Sequence, residues 1–76
     1  MVTPVEFLRN AGDGTRVVIR YALHGEAESA TDVLGYLSAT DETHCVVASV
    51  RGLKTVAFAD VIAAKEVPPP PAPRPR

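Results

Sequence analysis

Apolar and polar residues alternate along most of the chain, which is the pattern of half-buried β-strands. The clearest alternation runs from Thr15 to Leu23, where β-branched and aromatic side chains are frequent. Arg16 and Arg20 fall on the polar face of this segment and are expected to point to solvent. Similar segments follow, each bounded by turn-forming residues. The sequence predicts five short strands over residues 15–23, 31–39, 44–50, 53–58 and 63–67.

A short helix is predicted from Pro4 to Asn10. Thr3 is suited to cap it, Pro4 fits the first helical position, and Glu6 completes a capping box. A helix of this length does not persist alone in water. We therefore expect Phe7 or Leu8 to dock on the rest of the domain.

The order of these elements favours an all-β fold, a small SH3-like barrel of five strands with a short N-terminal helix. Gly35 interrupts the second strand and predicts a bend, a bulge or a close backbone approach there. One helical or 3₁₀ turn is expected at 59–62, before the last strand. An OB-like barrel is the main competitor, although it usually needs a longer chain. The predicted core consists of Val17, Ile19, Tyr21, Val33, Leu37, Val47, Val56, Phe58 and Val61.

Composition divides the chain into three parts, namely a helical segment at 1–11, a barrel at 12–67 and a Pro/Arg-rich tail at 68–76. Six of the seven prolines lie in this tail. Such a tract forms no ladder hydrogen bonds, so it is expected to be a disordered tail or linker. Its spaced prolines resemble an SH3 ligand in composition, but a stiff spacer is the favoured interpretation.

Length and charge restrict the function. With 76 residues the chain is one domain, which excludes an enzyme with separate cofactor and substrate domains. The formal net charge is −1, and residues 1–66 hold six basic and nine acidic side chains, a balance of −3. This balance disfavours non-specific binding of phosphate backbones, so nucleic acid is not expected as a partner. The chain has neither a secretory signal nor an apolar run of about 18 residues. A cytoplasmic location without a membrane partner is therefore expected.

No catalytic, cofactor-binding or metal site is predicted. Cys45 is the only cysteine and lies in an apolar run, where a buried and inert thiol is expected. His44 is adjacent to it on the same strand, so the two side chains should point to opposite faces. His24 is interpreted as a surface residue, and Glu26, Glu28 and Asp32 as a solvated acidic loop.

Two candidate interaction surfaces remain. Leu34 and Tyr36 lie on the face of the second strand that the core does not use, and they are candidates for contact with a protein. Arg16, Arg20 and Arg51 are candidates for contact with RNA. The RNA alternative requires these arginines to converge with Lys54 or Lys65.

Three segments resemble a known family. They are Gly-Thr-Arg-Val-Val-Ile-Arg-Tyr at 14–21, Thr-Asp-Val-Leu-Gly-Tyr-Leu at 31–37, and Ala-Asp-Val-Ile-Ala-Ala-Lys-Glu-Val-Pro-Pro at 59–69. Their order and spacing resemble the SH3-like N-terminal domain of bacterial GNAT-type N-acetyltransferases. The resemblance implies a non-catalytic accessory domain whose partner is an acetyltransferase catalytic domain, in cis or in trans. The family's Gly-rich pyrophosphate loop has no counterpart here, so no acetyl-CoA binding is expected. The alternative function is that of a small RNA-binding SH3- or Sm-like barrel.

Overall fold

The computed structural model describes residues 2–24 and 29–68 and consists of one short helix and five strands. The strands form a single antiparallel sheet in the order β4-β3-β2-β1-β5. The predicted all-β class with an N-terminal helix is thereby confirmed. The elements are α1 (Pro4–Asn10), β1 (Arg16–Leu23), β2 (Ser29–Thr40), β3 (His44–Ser49), β4 (Gly52–Ala57), a 3₁₀ turn (Phe58–Asp60) and β5 (Val61–Glu66).

All strand limits lie within two residues of the predicted ones. β2 begins earlier than expected because the ladder with β1 continues as far as the pair of Leu23 and Ser29. The single helical turn lies at Phe58–Asp60, so β5 starts directly after it at Val61. The pattern of apolar and polar residues thus located the elements correctly. Their exact ends depend on which strands pair, and the sequence of one segment does not show this.

Two local features of β2 are expected to bend the sheet, namely a close approach to β3 at Gly35 and a register shift after Leu37. At Gly35 a Cβ atom would lie 2.8 Å from Cγ1 of Val47 and would also collide with the carbonyl group of Ala48. A glycine is therefore required where β2 crosses β3, as the sequence predicted. The pairing of β2 with β3 shifts register between Leu37 and Ala39, which adds to the bend.

The bend allows the sheet to enclose one apolar core. Seven of the predicted core residues are buried, whereas Val33 and Val61 pack at its margin and are only partly buried. Leu8 and Cys45 are fully buried and were not in the predicted list. The complete buried cluster is Leu8, Val17, Ile19, Tyr21, Leu37, Cys45, Val47, Val56 and Phe58.

Helix α1 closes one end of this core. The Thr3 side chain accepts a hydrogen bond from the Glu6 N–H at 3.1 Å, which confirms the predicted N-cap. Leu8 enters the core with no exposed surface. The guanidinium of Arg9 lies 5.2 Å from the centroid of the Phe58 ring and donates a hydrogen bond to the Glu42 carbonyl at 2.7 Å. Arg9 thereby links α1 to the 3₁₀ turn and to the turn between β2 and β3.

Some predictions fall on parts of the chain that the structure does not describe. The proposed disorder and spacer role of the tail concern residues 69–76, and the acidic-loop interpretation of Glu26 and Glu28 concerns residues 25–28. All of these lie outside the described residues. Within residues 2–24 and 29–68, no helix is long and apolar enough to span a bilayer.

Candidate functional site

The outer face of the sheet carries the residues that were predicted to contact a protein. Cross-strand partners share a face, so the registers define rows of neighbouring side chains. One row crosses four strands through Arg16, Tyr36, Ala48 and Leu53. The adjacent row pairs Lys65 with Val18 and Val18 with Leu34. Leu34 and Tyr36 therefore lie side by side on the surface opposite the core.

Four large apolar side chains are exposed in this region. Leu34 is 46% exposed and Tyr36 42%, although both lie in the middle of the longest strand. Val50 is fully exposed at the hairpin between β3 and β4, and Leu53 is 72% exposed on β4. We call Leu34, Tyr36, Val50 and Leu53 the apolar patch. Contiguous exposed apolar surface of this kind commonly marks an interaction site.

A shallow groove runs through the apolar patch. Its walls come from β2 and from the β3–β4 hairpin, which the bend at Gly35 brings close together. The Arg16 guanidinium borders the groove and donates a hydrogen bond to the Pro68 carbonyl at 2.6 Å. The groove is thus apolar along its floor, with one engaged cation at its rim. The lining residues are Arg16, Leu34, Gly35, Tyr36, Ala48, Ser49 and Val50.

The sequence predicted only half of this patch. Val50 was expected to end a strand, with Arg51 and Gly52 as the turn. In the structure the turn is Val50 and Arg51, and Gly52 already pairs with Ser49 at the start of β4. Gly52 has φ +118°, a value that favours glycine. Gly52 could have indicated this turn from the sequence. If Gly52 is the first residue after a two-residue turn, the turn is Val50 and Arg51, and Val50 lies at its exposed tip.

The structure does not bring the candidate RNA-binding arginines together. Arg16 borders the groove, and Arg20 forms an ion pair with Asp32 at 3.3 Å. Arg20 and Lys65 line a second depression, on β1 and β5. Arg51 and Lys54 line a third, beside the β3–β4 hairpin. The convergence that the RNA alternative requires is therefore not observed among the described residues.

Cys45 and the histidines occupy the positions expected for structural residues. Burial raises the pKa of the Cys45 thiol, and the nearby charge of Asp41 raises it further. His44 is exposed on the opposite face and shares a 2.7 Å hydrogen bond with the Thr43 hydroxyl. His24 is exposed and lies 2.7 Å from the carboxylate of Asp60. In the described part of the chain, no three potential metal ligands cluster.

Comparison with known proteins shows the family. The model of the Rv0428c N-terminal Sm-like domain matches residues 12–65, which is more than half of the chain. The chain belongs to this family. No curated protein and no solved structure matches it.

This match corrects the resemblance drawn from the sequence. The assignment to the SH3-like N-terminal domain of GNAT-type N-acetyltransferases is wrong, because the matching family is that of an Sm-like domain. The segments that carried the resemblance overlap β1, β2 and β5, and different families of small β-domains share such strand patterns. The acetyltransferase domain expected as a partner rested on that resemblance alone, and the matched family gives it no support.

Proposed function

We propose that this member of the Rv0428c N-terminal Sm-like domain family is a non-catalytic docking domain that binds a protein through its apolar patch. One observation carries the proposal. Leu34, Tyr36, Val50 and Leu53 expose large apolar side chains on one continuous face, while a complete core forms on the other. The fold does not need these four side chains for its own packing.

Several features of the chain support binding rather than catalysis. Cys45 is the only thiol, and it is fully buried with a raised pKa, so it is protonated near neutral pH and is a poor nucleophile. The residues that line the groove include no carboxylate and no imidazole. General acid–base chemistry needs such groups within hydrogen-bond reach of a substrate.

The distribution of cations gives less support to RNA as the ligand. Phosphate contacts gain affinity when several lysines and arginines act along one track. Here Arg16 and Arg20 are engaged by the Pro68 carbonyl and by Asp32, and Arg51 lies on a different depression. Bases also need aromatic rings for stacking, and Tyr36 is the one exposed tyrosine of the described sheet, since Tyr21 is buried.

The proposal is tested by cross-linking from defined positions. A photoreactive amino acid is introduced at Tyr36 or Leu53, and as a control at Ile62, which is 52% exposed but lies on β5 away from the patch. The proposal expects one protein to be captured from positions 36 and 53 and not from 62. The affinity of the purified captured protein is then measured for Leu34→Ser and Ile62→Ser.

The two substitutions remove apolar side chains of similar exposure from different places. We expect Leu34→Ser to weaken binding about tenfold, because losing a buried leucine contact costs an interface more than 1 kcal/mol. Ile62→Ser should leave the affinity unchanged. Equal effects of the two substitutions, or equal capture from all three positions, would refute the patch as the binding surface.

A further inference from the structure

We infer that the protein bound at the apolar patch presents acidic side chains, which Arg51 and Lys54 bind on the opposite face of the same β3–β4 hairpin. This inference rests on the proposed docking function and specifies the chemistry of the partner. A cleft lies between the β3–β4 hairpin and the first residues of β2. The residues that define this cleft are Tyr21, Thr31, Asp32, Ser49, Arg51 and Lys54.

Lys54 points into this cleft and away from the apolar patch. Its cross-strand partner is the buried Val47, so Lys54 lies on the inner face of the sheet, whereas Leu53 lies on the outer face. The Lys54 ammonium is 5.7 Å from the centroid of the Tyr21 ring. The ring therefore forms an apolar floor beneath the ammonium, and a cation–π contact holds the ammonium in place.

The two cations of the cleft lack a counter-charge among the described residues. Neither the Arg51 guanidinium nor the Lys54 ammonium forms an ion pair there. Asp32 also borders the cleft, but its carboxylate is already paired with Arg20. A carboxylate supplied by another molecule would be the natural partner of both cations, because both donate charge-assisted hydrogen bonds.

The cleft and the apolar patch meet at the hairpin. Ser49 lines both the groove and the cleft, and Leu53 borders the cleft while pairing with Ala48 of the groove. A segment that crosses the hairpin tip can therefore place apolar side chains against Val50 and Leu53 and carboxylates against Arg51 and Lys54. A protein segment with acidic residues next to apolar ones has this chemistry.

The inference is tested by NMR titration of the ¹⁵N-labelled chain with short capped peptides. One peptide contains two glutamates between two leucines, and the matched peptide replaces the glutamates with lysines. We expect the glutamate peptide to shift the amide signals of Arg51, Gly52 and Lys54 as well as those of Leu34 and Tyr36. The lysine peptide should bind about tenfold more weakly, and added salt should reduce this difference.

Two charge reversals provide the control. Lys54→Glu and Lys65→Glu change the net charge equally, but Lys65 lies on β5 and borders a different depression. Lys54→Glu should lower the affinity for the glutamate peptide about tenfold, and Lys65→Glu should leave this affinity unchanged. Equal losses from both variants would overturn the inference, because they would show an effect of net charge alone.

The pattern of shifted signals separates this inference from the docking function. If both peptides shift the amide signals of Leu34 and Tyr36 equally and neither shifts those of Arg51 or Lys54, the patch binds apolar segments and the acidic partner is refuted. If only Arg51 and Lys54 respond to the glutamate peptide, the cationic cleft is supported and the apolar patch is refuted. If oligouridylate shifts Arg51 and Lys54 and the glutamate peptide does not, the cleft binds nucleic acid and the inference is overturned.

Discussion

The two ends of the small sheet are built from similar parts but differ in how their cations are held. At the α1 end, Leu8 fills the core and the Arg9 guanidinium lies over the Phe58 ring. At the hairpin end, the Lys54 ammonium lies over the Tyr21 ring, and the Lys54 side chain is exposed. Each end therefore has a cation above an aromatic ring. At the α1 end the Arg9 cation donates a hydrogen bond to a backbone carbonyl, and at the hairpin end the Lys54 cation has no ion pair among the described residues.

This difference separates stability from binding. Substitutions at the α1 end should unfold the domain, because they remove core packing or the contacts that hold the helix. Substitutions at the hairpin end should leave the fold intact and alter recognition. Domains commonly separate binding from stability in this way, with a rigid scaffold that carries exposed groups at one edge.

The largest effect is expected at Leu8. Leu8→Ala removes a fully buried side chain and leaves a cavity between α1 and the sheet. We expect a loss of about 2–5 kcal/mol in the free energy of unfolding. Urea denaturation followed by circular dichroism measures it, with Leu53→Ala as the control at the hairpin end. A loss at Leu8 no larger than at the exposed Leu53 would contradict the role of α1 as part of the core.

A smaller loss is expected at Arg9. Arg9→Met keeps a long side chain but removes both the charge above Phe58 and the hydrogen bond to the Glu42 carbonyl. Each contact is partly exposed, so the expected cost is about 1 kcal/mol. The same denaturation experiment measures it. Arg9→Lys should restore part of the loss, because a lysine keeps the cation; a full loss in Arg9→Lys would assign the effect to the hydrogen bond alone.

A pH-dependent effect is expected from the turn that carries Glu42. The carboxylate of Asp41 accepts hydrogen bonds from the Thr43 N–H at 2.8 Å and the His44 N–H at 2.7 Å, and these bonds lower its pKa. A carboxyl group with a depressed pKa stabilises the fold above its unfolded pKa of about 4, and this contribution is lost as the pH falls through the folded value.

The variant Asp41→Asn isolates this contribution. Asparagine can accept the same hydrogen bonds but does not titrate, so its urea midpoint should fall less steeply between about pH 5 and pH 2 than that of the wild type. Asp13→Asn is the control, since Asp13 is an exposed carboxylate for which no hydrogen bond is observed among the described contacts. If the urea midpoints of the wild type and of Asp41→Asn fall in parallel with pH, the charge of Asp41 does not contribute to the stability of the domain.

The sequence was informative where one segment determines its own structure. The Thr3 cap, the limits of α1 and the alternation of β1 were all predicted, because each depends on residues close together in the chain. Either Phe7 or Leu8 was expected to dock on the domain, and Leu8 was not predicted to be part of the core. The contacts of Arg9 with Glu42 and Phe58 were not predicted, because these residues lie far from Arg9 in the sequence.

The interaction surface was predicted in part for the same reason. Leu34 and Tyr36 follow from the alternation within β2, so their exposure could be anticipated. Val50 and Leu53 depend on where the β3–β4 turn falls, and a shift of one residue exchanges the two faces of a strand. Arg51 and Lys54 border one cleft because of the register between β3 and β4. This register cannot be predicted from the sequence of either strand alone.

The smallest effect on stability is expected at Lys54, and it completes the comparison of the two ends. Lys54→Met removes the cation above Tyr21 but leaves its apolar stem on the ring. Lys54 is exposed and has no further partner among the described residues, so the loss should stay below about 0.5 kcal/mol. Arg9→Met is the matched substitution at the other end, with the same new side chain above an aromatic ring. If Lys54→Met destabilises the domain as much as Arg9→Met does, the cation at the hairpin end contributes to stability like the cation at the α1 end. That result would contradict the proposed role of Lys54 in binding rather than in folding.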